Sequence, residues 1–217
     1  IGMRKSIGNQ FRGDFMQIII PMSGFGERFR AAGYTIPKPL IEVEGRPIIQ
    51  HVVEMFSNED DFIFICNEDH LLNPEYKMKS ILQDVALNSS IVSVKPHKLG
   101  PVYAVMQALD EINLQKPTIV NYCDFTCYWN YGHFKNFAKR VKADGIIPSY
   151  RGFHPHTLWS NYYAYVKEHN YRASDIQEKQ PFTNKPTNEF ASSATYYFKT
   201  GALMQEYFQR CIDEELL

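Results

Sequence analysis

Two segments of the chain combine glycine, proline and fixed positive charge in a way that suits a phosphate group. The first reads PMSGFGERF and places Ser23, Gly24 and Gly26 ahead of Arg28. Glycines allow backbone N–H groups to approach an anion closely, and the guanidinium of arginine supplies a permanent charge. In the second segment, IPKPL, Lys38 lies between two prolines. The first segment therefore predicts a phosphate site.

The general nucleotide motifs do not account for these residues. A dinucleotide fingerprint requires a third glycine where Phe29 stands, and the Gly-Lys-Ser/Thr of a Walker loop is absent. Two ordinary alternatives therefore stay open from the residues alone. The G-x-G pattern also occurs in tight turns, and Lys38 can be a solvated surface lysine.

The elements that must position these residues follow from hydrophobic periodicity. Short apolar segments alternate with segments of helical period, which predicts an α/β fold with a mixed, mostly parallel sheet flanked by helices. The predicted strands are 16–21, 62–66, 91–94, 118–122, 145–149, 162–166 and 195–199. Helices are predicted to open near Pro47 and Pro101 and to cover 76–86, 134–141 and 202–211. Proline-bearing segments 151–161 and 180–190 predict loops.

Length and composition limit the class of protein. The 217 residues, with a formal net charge of -1, suit one domain over 16–217 after an N-terminal extension over 1–15. Near-zero charge argues against a nucleic-acid partner, and no apolar run approaches the roughly 20 residues of a membrane span. The four cysteines are too few for a disulfide framework, and no secretory signal is apparent, which predicts a cytoplasmic protein. Zinc-like spacing is also missing around Cys123 and Cys127.

The sequence after the first segment is more specific. GYTIPKPLI is followed by VEGRPII, so a G-x-G-x-R-F loop, a P-K-P-L element and a G-x-P-I turn succeed one another. This order resembles the sugar nucleotidyltransferase family, whose fold is the GT-A-like nucleotide-diphospho-sugar transferase type. The resemblance implies that Arg28 and Lys38 contact a nucleoside triphosphate in catalysis. It also implies that the backbone of Ser23, Gly24 and Gly26 borders the nucleotide.

Three later segments are similar to further motifs of that family. KLGPVYAV resembles the second nucleotide motif, which implies that Gly100 lies near the base, although a turn before a helix is the alternative. NYCDF implies that Asp124 binds Mg²⁺, with Cys123 in place of the usual glycine and a capping or ion-paired aspartate as the alternative. IQEKQP implies that Glu178 and Lys179 face the acceptor phosphate, unless they are simply a solvated pair in a loop.

Several residues match the family pattern poorly or not at all. Ala194 stands where the late strand ordinarily has glycine, which predicts a different acceptor shape. The acidic residues at 213–215 match no motif, so no second metal carboxylate is assigned, and truncation of the chain at its C-terminus is one explanation. His133, His154 and His156 show no metal or catalytic spacing. The last two, with Arg151, Trp159 and Asn161, are candidates to shape the acceptor pocket.

The resemblance implies a reaction in which an acceptor phosphate attacks the α-phosphate of a nucleoside triphosphate and releases pyrophosphate. The implied partners are the triphosphate and a phosphorylated sugar or alcohol, with magnesium as cofactor. A glycosyltransferase of the same fold is an alternative, although Asp124-Phe125-Thr126 lacks the Asp-x-Asp of such enzymes. A non-catalytic nucleotide-binding subunit is another. Neither the base nor the acceptor can be identified, and a phosphorylated alcohol or amine with CTP competes with a hexose 1-phosphate.

Overall fold

The computed structural model describes residues 15–57, 60–153 and 163–216. The strands in this part of the chain are β1 (Gln17–Met22), β2 (Glu42–Val43), β3 (Arg46–Pro47), β4 (Asp61–Asn67), β5 (Ser89–Val94), β6 (Thr118–Asn121), β7 (Gly145–Ile146), β8 (Ser149–Tyr150), β9 (Ala164–His169), β10 (Arg172–Glu178), β11 (Phe190–Ser192) and β12 (Thr195–Phe198). The α-helices are α1 (Glu27–Ala31), α2 (Ile48–Val53), α3 (Glu68–Leu72), α4 (Met78–Val85), α5 (Gly100–Met106), α6 (Tyr131–Val141) and α7 (Gly201–Asp213).

A six-stranded sheet with the order β5-β4-β1-β6-β12-β7 forms the centre of the fold. The first four strands in this order are parallel, whereas β12 pairs antiparallel with both β6 and β7. A second sheet, with the order β10-β9-β11-β8, is antiparallel throughout. The predicted α/β fold with a mostly parallel sheet is therefore confirmed.

Both faces of the central sheet are covered, which explains the nearly unbroken apolar sequence of its strands. Ile18 and Ile20 face a core that α2, α4 and α6 complete, and Ile19 faces the opposite core under α5 and α7. All three isoleucines are fully buried. Each such side chain contributes about 1.5–3 kcal/mol to the free energy of unfolding. The β1 strand is thus held rigidly, and so is the start of the loop that follows it.

The predicted strand 145–149 is wrong in one respect, because it is two short strands in different sheets. Strand β7 pairs with β12 in the central sheet, and β8 pairs with β11 in the second sheet. Pro148 lies between them and has no N–H for a strand ladder. Its carbonyl instead accepts hydrogen bonds from the backbone N (3.0 Å) and Oγ (2.7 Å) of Ser193. The chain changes sheets at this proline.

Other elements differ from the prediction for identifiable reasons. The sequence does not predict strand β10. Its residues are mostly polar and exposed, so they lack the apolar pattern of a buried strand. The five-residue helices α1 and α3 are too short for a periodic pattern. Helices α2 and α5 begin at Ile48 and Gly100, each one residue from the proline predicted to open it. The predicted loop 180–190 ends with Phe190, which begins β11.

Some predictions fall on residues outside those described. They concern the extension over 1–15, apart from Phe15, and the acceptor-pocket candidates His154, His156, Trp159 and Asn161. For the helices within the described ranges, none is both long and apolar enough to cross a lipid bilayer.

Helix α7 begins against a neighbouring loop, and this gives a test of the packing. A Cβ added at Gly201 would lie 2.7 Å from the backbone oxygen of Asn113 and 3.0 Å from Nε2 of Gln17. We expect Gly201→Ala to lower the free energy of unfolding by about 1–3 kcal/mol, because the backbone must shift. Urea titration measures this change. The matched control is Gly132→Ala in α6, whose Cβ would make an ordinary 3.6 Å contact. Equal stability of the two variants would contradict the prediction.

Candidate active site

The loop after β1 is fixed by a neighbouring strand and by one glycine. Ser23 is buried, and its carbonyl oxygen accepts a hydrogen bond from Nδ2 of Asn67 at 3.2 Å. Gly26 adopts a φ of 64° directly before α1, a left-handed conformation that favours glycine. Gly24 is exposed, and so is Arg28 on α1. The loop therefore presents open backbone and a cation beside a buried serine.

Lys38 and Asp124 form an ion pair that brings two distant predicted residues together. Lys38 begins a short 3-10 helix, between two buried prolines that fix the direction of the backbone. Its Nζ lies 5.2 Å from the centre of the Phe29 ring. Gly26 is also adjacent, since a Cβ at that position would lie 3.7 Å from Cβ of Lys38. Lys38 is therefore a partly buried lysine in an ion pair, and the same contact agrees with the alternative of an ion-paired Asp124.

The charge of Asp124 acts on the side chains around it. Burial raises the pKa of the Cys123 thiol to about 12, and the Asp124 carboxylate adds to the increase while Lys38 opposes it. Burial is also the main cause that raises the pKa values of Tyr122 and Tyr163, and Asp124 contributes to both. At Cys123 the effect of the Asp124 carboxylate on the pKa is therefore larger than the opposite effect of Lys38.

A cation fits this environment. Among residues 15–57, 60–153 and 163–216, no three or more His, Cys, Asp or Glu side chains are grouped to hold a metal ion. Mg²⁺ does not require such a group, because it commonly keeps several waters and binds one or two carboxylates together with substrate phosphates. The partly exposed carboxylate of Asp124 meets that requirement.

His97 is a residue of this region that sequence reasoning missed. Its Nδ1 accepts a hydrogen bond from the backbone N of Leu99 at 3.2 Å, which places the proton of the neutral ring on Nε2. Nε2 lies 3.5 Å from Oγ of Ser23, and burial lowers the pKa of His97. Only its position in the segment before Gly100 could have drawn attention to it.

A second contact ties the same two loops together. Nζ of Lys98 lies 2.7 Å from Oε1 of Glu27 and 5.9 Å from the centre of the Phe25 ring. Gly100 follows with a φ of 82° and begins α5. A cavity of about 440 Å³ opens beside His97, and its lining residues are Ser93, Val94, Lys95, Pro96, His97, Tyr103 and Gln107. The first loop and the segment before Gly100 are thus in direct contact.

Glu178 and Lys179 approach from the second sheet. Glu178 is the last residue of β10, and its side chain and that of Lys179 are 67% and 54% exposed, so the alternative of a solvated pair agrees with the structure. Lys179 has a φ of 56°, its backbone N donates to the carbonyl of Tyr163 at 3.1 Å, and its Nζ lies 3.4 Å from Oε1 of Glu178. Burial raises the pKa values of Tyr122 and Tyr196, and the charge of Glu178 adds to both increases.

A small apolar cavity of about 180 Å³ lies beside the Gly100 segment. Its lining residues are Pro101, Val102, Val120, Tyr122, Tyr196, Phe198 and Phe208. Pro101 directly follows Gly100, and Tyr122 is two residues before Asp124. The glycine loop, Lys38 and Asp124 thus lie together near the carboxyl ends of the parallel strands β1 and β6.

Ligands of open α/β folds bind outside the carboxyl ends of the parallel strands, which is where these residues lie. Comparison with known proteins gives the family. A model of the nucleotidyl transferase family matches residues 17–213, and the chain belongs to that family.

Individual relatives share between 20% and 30% sequence identity with the chain. Mannose-1-phosphate guanyltransferase of Saccharomyces cerevisiae is 27% identical over 138 residues, which are 61% of this chain and 37% of that protein. Bifunctional protein GlmU of Ralstonia pickettii is 30% identical over 109 residues, which are 50% of this chain and 22% of that protein. The chain thus spans well under half the length of these curated relatives. The solved nucleoside-diphosphate-sugar pyrophosphorylase of Vibrio cholerae RC9 has a TM-score of 0.66 at 20% identity, covering 92% of this chain and 78% of that one.

Proposed function

We propose that this chain carries out nucleotidyl transfer from a nucleoside triphosphate to a phosphorylated sugar or alcohol. The observation that carries the proposal is the contact between Lys38 and Asp124 beside the glycine loop. A cation and a carboxylate from separate segments meet where the fold binds ligands, as phosphoryl chemistry requires. The family supports the reaction class, and two of the proteins named above are a mannose-1-phosphate guanyltransferase and a nucleoside-diphosphate-sugar pyrophosphorylase.

The proposed reaction forms one bond to phosphorus and breaks one. An oxygen of the acceptor phosphate attacks the α-phosphorus, and the bond from that phosphorus to the bridging oxygen of pyrophosphate breaks. The acceptor oxygen is already ionised, so no general base is needed. The work of the protein is to position the two phosphates and to stabilise the charge that builds up between them.

Individual residues have distinct parts in this proposal. Lys38 neutralises charge at the triphosphate while its contact with Asp124 fixes its direction. Arg28 adds a second cation from α1, and the open backbone around Gly26 allows close approach of phosphate oxygens. Glu178 and Lys179 bind the acceptor from the second sheet.

Members of this family generally use a divalent metal ion. For this chain we propose that Asp124 holds Mg²⁺, which when bound supplies additional charge neutralisation at the triphosphate. Burial is the main cause of the raised pKa of Cys123, and the increase due to the Asp124 carboxylate exceeds the decrease due to Lys38.

The test is a magnesium-dependent screen for pyrophosphate release. Four common nucleoside triphosphates are combined with a panel of sugar 1-phosphates and phosphorylated alcohols. We expect release with one pair and none with Asp124→Ala. The control variant is Asp144→Ala, which removes another aspartate paired with a lysine, Lys199, at 3.3 Å in an exposed position. It should retain full activity.

Two other results would overturn the proposal. Tight triphosphate binding without pyrophosphate release across the panel would indicate a binding subunit. Consumption of a nucleotide sugar, with transfer of its sugar to an acceptor, would indicate a glycosyltransferase.

A further inference from the structure

The turn that carries Asp124 is held by one buried side chain. Asn121 is the last residue of β6 and is fully buried. Its Nδ2 donates hydrogen bonds to the carbonyl oxygens of Tyr122 at 2.9 Å and Phe125 at 3.4 Å. These two carbonyls lie on either side of Asp124 in the sequence. The amide therefore links the two ends of the turn through these hydrogen bonds.

Asn121 is itself fixed from the neighbouring strand. Thr195 lies directly opposite in β12 and is also buried. Its hydroxyl lies 2.5 Å from Oδ1 of Asn121 and 3.2 Å from the carbonyl of Ser193. Oδ1 can only accept, so the contact sets the orientation of the amide and turns Nδ2 toward the turn. The chain before Thr195 is bonded to the same turn, since the backbone N of Tyr122 donates to the carbonyl of Ala194 at 3.1 Å.

We propose that Asn121 is a positioning residue that holds the Asp124 turn in place through this network. An apolar side chain would suit a buried strand position better than an amide, because a buried polar group costs free energy unless it is bonded. Here the bonds go to the turn rather than to the strand ladder. The amide thus couples the direction of Asp124 to the central sheet. Its importance for catalysis rests on the proposed function, whereas its effect on the turn does not.

Thiol labelling tests the effect on the turn without any substrate. Cys123 lies in the turn and is partly buried against the core, whereas Cys66 is buried in β4. We expect Asn121→Leu to raise the rate at which iodoacetamide labels Cys123 by about tenfold, because the turn then opens more often. Peptide mass spectrometry follows each cysteine separately. Labelling of Cys66 should not change.

The matched control is Thr118→Val, at the opposite end of the same strand. Thr118 is fully buried and hydrogen-bonded to Nε2 of Gln17 at 2.6 Å. Its replacement removes a buried polar contact from β6 without touching the turn. Equal labelling of Cys123 in Thr118→Val and Asn121→Leu would overturn the proposal.

A double variant separates the turn from overall stability. Replacing Asn121 by Leu together with Thr195 by Val removes both partners of the buried contact, which leaves neither one unpaired. We expect its urea midpoint to return toward that of the wild type while Cys123 stays reactive. If Cys66 is also labelled faster in both Asn121 variants, Asn121 stabilises the whole sheet and the proposal is wrong.

Kinetics with the substrate pair found in the screen then measures the consequence for the reaction. We expect Asn121→Leu to lower kcat about tenfold with little change in the KM for the acceptor, because Glu178 and Lys179, which bind the acceptor in the proposed function, make none of the hydrogen bonds of this network. If Cys123 is labelled faster in Asn121→Leu but kcat is unchanged, the proposed importance of Asn121 for catalysis is wrong. Failure of the screen would leave the labelling result intact, so the two proposals fail separately.

Discussion

A Lys38→Met variant is expected to lose about 10²–10³-fold in kcat/KM for pyrophosphate release, measured with the substrate pair that the wild-type protein uses. Methionine keeps the apolar part of the side chain against Phe29 but removes the charge that faces Asp124. The free energy of unfolding should fall by less than about 1 kcal/mol, because both partners of the ion pair are partly exposed. A large loss of activity in a folded protein is the expected signature of charge stabilisation.

The chain provides a close control for this variant. Lys98 also pairs with a carboxylate, that of Glu27, and also lies near an aromatic ring, that of Phe25. Its side chain is 74% exposed, whereas that of Lys38 is 25% exposed. Lys98→Met should therefore change kcat/KM only slightly. Equal losses in the two variants would show that general positive charge, and not the position of Lys38, supports the reaction.

An Asp60→Ala variant is expected to lower the free energy of unfolding by about 3 kcal/mol or more. The Asp60 carboxylate is fully buried and accepts from the backbone N of Met16 (3.0 Å), the backbone N of Ser57 (3.3 Å) and the hydroxyl of Tyr131 (2.7 Å). Alanine leaves all three donors without this acceptor. Urea titration at neutral pH measures the loss.

The adjacent aspartate is the control for this change. Asp61 pairs with Lys116 at a half-exposed position, so Asp61→Ala should cost less than about 1 kcal/mol. Equal losses of stability in Asp60→Ala and Asp61→Ala would show that the buried hydrogen bonds of Asp60 contribute no more than a half-exposed ion pair.

The pH dependence of the Asp60 contribution has a definite sign. Burial raises the pKa of Asp60 above its ordinary value of 3.8, although its three donors oppose the increase. The folded chain therefore binds this proton more readily than the unfolded chain. The contribution of this proton to stability is fully present below pH 3.8 and is lost as pH rises through the higher folded pKa, and it adds to the hydrogen-bond contribution that remains at neutral pH. The stability difference between wild type and Asp60→Ala should shrink over that interval.

The sequence was sufficient where a pattern is local. The apolar segments of β1, β4 and β6 predicted the central sheet, and the ordered motifs around Gly26 and Lys38 predicted the family. Each of these signals lies within a few residues of chain. Strand β10 shows the limit, because an exposed antiparallel strand carries no continuous apolar run and its polar residues are typical of loops.

The sequence was insufficient where a residue acts through distant partners. Asn121 depends on Thr195, and Asp60 depends on Tyr131, so neither contact leaves a spacing that can be recognised. The same holds for His97, whose partner Ser23 lies in another loop. An isolated Asn, Asp or His in an ordinary sequence carries no such information. These supporting contacts become visible only when the chain is folded.

The second sheet is formed by one continuous segment of the chain, which leaves the central sheet after β7 and returns to it at β12. The chain leaves the central sheet after Ile146 and returns to it at Thr195, and the two points are adjacent because β7 and β12 are paired. The hydrogen bond from Ser193 to the carbonyl of Pro148 joins the points at which the chain leaves and re-enters the central sheet. A different segment could be inserted between these fixed points while β1, β4 and β6 keep their register. In the proposed function, the acceptor residues Glu178 and Lys179 therefore lie within this single excursion of the chain, whereas Lys38 and Asp124 lie outside it.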